Sequence, residues 1–279
     1  MASSTEFKWN PDDFLKLVKL CDYDDGVIES IKWLKSPTDY ILEAGCGIGR
    51  VVKYIYDKGY TNVKGIELNE AAVKWVNENY PELDILQGDV LEMPYEEDFF
   101  DVILSYGVVE HFPKGLHEPL IAHYKILKPG GVIIFTVPSL NFIRRITYWW
   151  TLNKYKFNPR LNPLIRKIFG KKPIVMDTNN DQYIYMKFPI NGKFFEYRFT
   201  PSQFLKALTK AGFKIIKSMP ISHIDGLYHI FGAPLVIWEN QKFTVSQKGK
   251  LLNWLFSLIP YFHNHMQLCV VQKPIRKNQ

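Results

Sequence analysis

Cysteine is scarce: three in 279 residues, Cys21, Cys46 and Cys269, odd in number and far apart. They allow no disulfide framework and no CxxC zinc knuckle, so a reducing compartment and no bound metal are expected. Long apolar runs are missing too. The longest, around Val132 to Val137 and Leu251 to Phe262, fall far short of the ~20 residues that cross a bilayer. Met1 to Asn10 lacks the apolar h-region of a secretory leader. The expected location is cytoplasmic, peripheral at the inner membrane surface at most. Disorder is excluded by composition, since 47% hydrophobic and 23% charged residues are ordinary globular values.

Acid is absent from one long window. Between Leu140 and Lys172 stand nine Lys or Arg residues and no Asp or Glu, which places +9 there and leaves −2 for the rest of a chain whose net charge is +7. Seven aromatics share the window: Phe142, Tyr148, Trp149, Trp150, Tyr155, Phe157 and Phe169. Such a concentration points to a face that meets something anionic, a phosphate, a nucleic acid or a membrane surface.

Elsewhere, short β-rich runs alternate with helical patterns, the signature of a parallel sheet covered by helices on both faces. Strands are expected at Tyr40 to Glu43, Val63 to Glu67, Asp84 to Gln87, Phe100 to Ser105 and Val132 to Val137. Helices are expected at Gly49 to Lys58, Glu70 to Tyr80 and Leu116 to Leu127, the last stopped by the turn Leu127-Lys128-Pro129-Gly130-Gly131. One or two helices over Pro11 to Leu34 precede this core. A helix from Ser202 to Ala211 and strands over Phe213 to Ser218 and Met266 to Gln272 follow it.

The segment Ile41-Leu42-Glu43-Ala44-Gly45-Cys46-Gly47-Ile48-Gly49 runs from a strand through a G-x-G-x-G turn into a helix. Glycines there permit backbone that other residues find strained and let a ligand approach the main chain. Eighteen residues after Gly49, Glu67 ends the second strand, where an acid in a doubly wound fold binds the ribose hydroxyls of a nucleoside. Asp89, in Gln87-Gly88-Asp89-Val90, can accept from an exocyclic amine while Val90 packs on the ring, or it can simply form a turn.

Taken in order, LEAGCGIGR, GIELN, QGDVLEMP, FFDVILSYGVVEHF and LKPGG resemble the class I S-adenosylmethionine-dependent methyltransferases, in particular the type 11 branch acting on small and lipid-like molecules. The close resemblance spans Asp39 to Pro138. It implies an α/β fold, a doubly wound, seven-stranded, mostly parallel Rossmann-like sheet with N-terminal helices and a large insert after the fifth strand. The division so implied is a helical lid over 1–38, a cofactor-binding core over 39–138, a basic aromatic cap over 139–199 and the rest of the core sheet over 200–279. By the same resemblance S-adenosylmethionine is the cofactor. Gly45, Cys46, Gly47 and Gly49 would form the loop beneath its methionine and ribose, with Glu43, where many relatives have Asp, in a longer water-mediated contact; Glu67 would bind the ribose hydroxyls, Leu68 would pack on the adenine, Asp89 and Val90 would flank the base, and Ser105 and Tyr106 would lie near the sulfonium and amino acid end.

Methyl transfer to a hydroxyl or amine also requires a base, and a histidine is suited to it. His111 follows the fourth strand, at the carboxyl edge where open α/β sheets bind ligands, and is the first candidate. His223 and His229, after the sixth strand, and Tyr23, in the N-terminal helices, are further candidates on the substrate side. His263 and His265 share a face if their segment is extended, with no carboxylate partner evident in sequence.

The connection from the fifth strand to the Ser202 helix is about sixty residues, far beyond the usual ~2–6, so it forms a cap. At helical spacing Phe142, Ile143, Ile146, Trp149 and Trp150 share one face, with Arg144 and Tyr148 on the other and Arg145 at the boundary. Leu161, Leu164, Ile165 and Ile168 repeat the stripe. Such basic amphipathic helices either pack the cap onto the core or lie on a membrane surface, with Arg144 and Arg145 available to an anionic substrate. The expected activity is methylation of a small or amphipathic, lipid-linked or anionic acceptor, with O-methylation favoured. The alternatives are a methyltransferase of RNA or other nucleic acid, a nicotinamide enzyme, and a noncatalytic S-adenosylmethionine-binding regulator or scaffold.

Overall fold

The computed structural model describes residues 13–148, 175–178, 183–187, 193–232, 235–239 and 242–275. The second stripe predicted over Leu161 to Ile168, together with Trp149 and Trp150, lies outside them. The chain divides into two units, one formed by 1–137, 204–218 and 268–279 and the other by 138–203 and 219–267.

The first unit carries most of a seven-stranded sheet. Its strands are β1 (Ile41–Ala44), β2 (Val63–Glu67), β3 (Asp84–Gln87), β4 (Phe100–Tyr106), β5 (Leu127–Pro138), β9 (Lys214–Ile221) and β12 (Met266–Gln272), in the order β3-β2-β1-β4-β5-β12-β9. β1 pairs in parallel with β2 and β4, β2 with β3, and β4 with β5. Their carboxyl ends therefore share one edge. The central strand β1 is buried throughout, as a strand covered on both faces must be.

Helices α1 (Phe14–Leu20), α2 (Asp25–Ile31), α3 (Arg50–Asp57), α4 (Glu70–Asn79), α5 (His117–Ile126) and α7 (Pro201–Lys210) accompany these strands. Local chemistry sets where they begin. Asn69 Oδ1 accepts from the Ala72 N–H at 3.0 Å to cap α4, and Asp24 accepts from the Gly26 and Val27 N–H groups to cap α2.

One local expectation fails. Residues 127–131 are the opening of β5 rather than a free turn, and the register jumps so that Leu127 faces Phe100 while Val132 faces Val102. Gly130, at φ +84°, lets the strand bulge. Hydrogen bonds from Gly130 N–H to Lys273 O and from Lys273 N–H to Gly131 O then hold it to the end of the chain.

In the second unit β6 (Val175–Thr178), β7 (Ile184–Lys187) and β8 (Phe194–Arg198) make an antiparallel sheet, and β10 (Val236–Glu239) pairs with β11 (Lys242–Val245). Its helices are α6 (142–148), α8 (His223–Phe231) and α9 (Gln247–Ser257). Residues 219–267, read from sequence as part of the core sheet, thus group mainly with the insert. Of the two orientations open to α6, the described residues show the apolar positions Phe142 and Ile146 outward. Arg144 and Tyr148 are buried, whereas Phe142 and Ile146 are exposed.

Candidate functional site

At the carboxyl edge the turn after β1 places Gly45, Gly47 and Gly49 all at positive φ, +75°, +57° and +74°, which is why glycine is needed. The missing side chains also make room for protein. A Cβ on Gly45 would lie 2.6 Å from Val108 Cγ2, and one on Gly49 2.4 Å from Ile85 Cδ1. Glycine at these two positions therefore serves packing as well as the left-handed backbone of the turn.

Three amides of the turn are already engaged. Gly45 and Cys46 N–H donate to Ile66 O at 2.8 and 3.1 Å, and Gly47 N–H donates to Glu67 Oε2 at 2.9 Å. Glu67 Oε1 accepts the Asn69 N–H at 2.9 Å. The acid is thereby fixed at the tip of β2, half-buried, with a second lone pair on each oxygen still able to accept. That arrangement fits a vicinal diol.

Glu43 lies beneath the turn, buried, and accepts from the Val52 N–H inside the first turn of α3. Burial holds its pKa up at about 8, opposed by nearby Arg50 and aided by Asp24 and Glu67. Glu43 Oε2 and Ser105 Oγ are buried with no hydrogen-bond partner among the described residues. Arg50 Nη2 donates to Asp24 Oδ2 at 2.8 Å and Arg50 Nη1 to Cys21 Sγ at 3.2 Å, which ties the N-terminal helices to the turn. The Tyr106 hydroxyl bonds Ser30 Oγ of α2. Neither Arg50 nor Asn69 was singled out in sequence, although the position of Asn69 three residues before Ala72 is itself a cap signal.

The remaining cofactor candidates differ in environment. Leu68 is exposed beside Glu67. Asp89 Oδ1 accepts the Leu91 N–H at 2.9 Å, making the turn that an aspartate forms unaided, while Val90 and Cys46 are buried. His111 ends a 3₁₀ turn, Val109–His111, after β4, on the same edge as Glu67. Tyr23 is 82% exposed.

The other candidates, Arg144, Arg145, His223 and His229, belong to the second unit. Arg144 is no surface cation. Its Nη1 donates to Ser139 O and His265 O at 2.8 and 3.0 Å, and Nη2 lies 2.5 Å from His265 Nδ1. His263 and His265 do not share a strand face, because both precede β12. His263 Nε2 meets Asn253 Oδ1 at 2.9 Å, and its ring lies 5.0 Å from that of His223. His265 instead joins Asp225 and His229, a carboxylate partnership that sequence separation concealed.

These three residues do not suit a cation. The Arg144 guanidinium can only donate, so His265 Nδ1 must accept and Nε2 carries the proton, leaving no lone pair for a metal. The His229 and His265 rings also stack at 4.4 Å and 23°, so one ion cannot lie near both ring planes. His229 Nε2 is 3.0 Å from Asp225 Oδ1, and the set reads as a partly exposed polar cluster.

Residues 42–135 match a family model described as a methyltransferase domain. A protein of Mycolicibacterium smegmatis named "Probable S-adenosylmethionine-dependent methyltransferase" is 33% identical over 108 residues, 39% of each chain. Sterol 24-C-methyltransferase of Saccharomyces cerevisiae is 30% identical over 138 residues, 47% of this chain and 32% of that protein. This chain therefore spans well under half the length of either relative. A solved S-adenosylmethionine-dependent methyltransferase from Mesorhizobium loti aligns over 90% of this chain and 99% of its own, with TM-score 0.54 and 13% identity, a likeness of fold. Residues 42–135 thus match a methyltransferase domain, and the motif order, the sheet order and the acid-tipped β2 agree with that likeness.

Proposed function

We propose that this chain transfers a methyl group from S-adenosylmethionine to a small amphipathic acceptor. The observation that carries the reading is the engagement of the Gly45, Cys46 and Gly47 amides by β2. It leaves at this edge a fixed acid with accepting capacity, which favours a ligand bearing a vicinal diol and positive charge. When bound, S-adenosylmethionine supplies an electrophilic methyl on a sulfonium, displaced in line by the acceptor.

The chain's own residues bind, orient and take a proton. Glu67, oriented by the Gly47 and Asn69 amides, accepts from the two ribose hydroxyls, and exposed Leu68 covers one face of the base. Asp89 and Val90 border its other side. The hydroxyl of Tyr106, held by Ser30, keeps that ring fixed at the end of β4. Positioning of this kind supplies several kcal/mol of the barrier. His111, on the same edge, accepts the proton of a hydroxyl acceptor as the bond to carbon forms. O-methylation follows from that base, and an amphipathic acceptor follows from the apolar and cationic character of residues 140–172; the sterol substrate named for the yeast relative is of the same chemical kind.

Calorimetry with S-adenosylmethionine and with a nicotinamide dinucleotide tests the cofactor. Heat with the first only is expected, and the reverse would overturn the reading. Incubation with extract and S-adenosylmethionine, followed by a mass search for products heavier by one CH₂, reports the acceptor. Binding without any release of S-adenosylhomocysteine would instead indicate a noncatalytic protein.

A further inference from the structure

Helix α9 of the second unit presents its apolar stripe outward. Its inner side is accounted for. Gly249 closes on Leu235, whose carbonyl oxygen would be 2.3 Å from a Cβ there. Asn253 meets His263, and the Phe256 ring lies 5.8 Å from Phe231 and 5.0 Å from Phe262. The opposite side carries Leu251, Trp254, Leu255 and Leu258, spaced i, i+3, i+4, i+7, and then Ile259. All five are exposed, Trp254 by 59% and Leu258 by 62%. A stripe with this period normally faces a core.

Helix α6 extends the surface. The Phe142 ring stacks on Phe262 at 5.6 Å, and Phe142 N–H donates to Tyr261 O at 2.9 Å, so exposed Phe142 and Ile146 lie beside the end of α9. Five exposed apolar side chains along one helix, with two more on α6 next to the segment that follows it, exceed the scattered surface hydrophobics of an ordinary face.

Its fringe is cationic. Lys248, Lys250 and Arg145 are exposed around it, and no Asp or Glu occurs between residues 240 and 279. A two-fold contact between copies would set this fringe against itself with no acid on the patch to neutralise it. An anionic bilayer supplies apolar depth for the stripe and phosphate for the lysines, whose long stems reach up to the headgroups. We infer that α9, with Phe142 and Ile146 of α6, docks this protein on the surface of an anionic phospholipid membrane. The α6 residues belong to the basic window expected at an anionic surface, whereas α9 lies outside that window and Arg144 is turned inward. It is independent of the cofactor reading, because docking needs no S-adenosylmethionine.

The test is flotation of the full-length protein, without cofactor, with phosphatidylcholine vesicles containing phosphatidylglycerol and with phosphatidylcholine alone. Binding to the anionic vesicles, weakened by salt, is expected. The double variant Leu258→Glu/Ile259→Glu changes only exposed side chains, so an unchanged melting temperature serves as its folding control. It should bind about tenfold or more weakly. Lys248→Glu/Lys250→Glu should remove the preference for anionic lipid. The three native cysteines are buried, so a fluorophore on Ser257→Cys reports the patch selectively. Its emission should shift to the blue with vesicles and be quenched by nitroxide lipid. Absence of flotation, equal flotation of wild type and Leu258→Glu/Ile259→Glu, or a dimer in solution that this variant dissociates while vesicles leave it unbound would each overturn the proposal.

Discussion

Glu43 offers a direct test of the environment beneath the glycine turn. The ordinary pKa of a glutamate is near 4.5, and burial carries this one to about 8. Below pH 4.5 the folded and unfolded chains both hold the proton. Above it the unfolded chain releases the proton while the folded chain keeps it, so the unfolded state gains and stability falls as pH rises, until the folded pKa is passed. At about 1.4 kcal/mol per pH unit, the loss across that interval is about 5 kcal/mol as an upper bound, a large fraction of the ~5–15 kcal/mol a domain possesses. Glu43→Gln keeps an oxygen for the Val52 N–H and has nothing to ionise. The assay is urea denaturation of both proteins from pH 5 to 9. The variant should lose little stability across this range and exceed wild type by a few kcal/mol at pH 9. Parallel curves would refute the reasoning, since they would mean that Glu43 is solvated or paired in the folded protein.

Glu67→Ala removes two charge-assisted acceptors from the diol site, and a loss of about 2–4 kcal/mol, roughly 30- to 1000-fold in affinity for S-adenosylmethionine, should appear in calorimetry. His123 is buried, held neutral by a pKa lowered to about 4, and its Nδ1 meets Pro119 O at 2.7 Å. A lowered histidine pKa means that the unfolded chain binds the extra proton first, so stability should fall as pH drops from 6.5 toward 4, and His123→Leu should flatten that limb in acid titrations of unfolding. Gly226→Ala would set a Cβ 1.8 Å from the His263 carbonyl oxygen, a backbone atom that cannot turn aside. A loss of about 3 kcal/mol or more should be seen by thermal unfolding and by faster amide exchange in α8. Gly49→Ala meets the movable end of Ile85, so its cost should stay nearer the roughly 1–2 kcal/mol of left-handed backbone.

Much of the first unit was legible in sequence because its signals are local. Val63 to Glu67, Asp84 to Gln87 and Met266 to Gln272 were expected as strands and are strands, with the same bounds, since runs of apolar and β-branched residues bounded by turns need no distant partner to be read. The left-handed glycines at 45, 47 and 49 and the acid at 67 were legible for the same reason. The bulge at Gly130 was not, because its pairing partner, Lys273, lies far away in the chain. The carboxylate beside His265 was hidden in the same way.

Local order and spacing determined the alternation of strands and helices, the glycine turn and its acid, and through them the likeness to a methyltransferase domain. Tertiary structure alone decided which side of an amphipathic helix is inside. Periodicity marks the apolar stripes of α6 and α9 but not their direction, and in both cases a polar residue is drawn inward: Arg144 held by Ser139 and His265, and Asn253 by His263. These hydrogen bonds are made between residues distant in sequence, and burying them inward leaves Phe142, Trp254 and Leu258 to the surface.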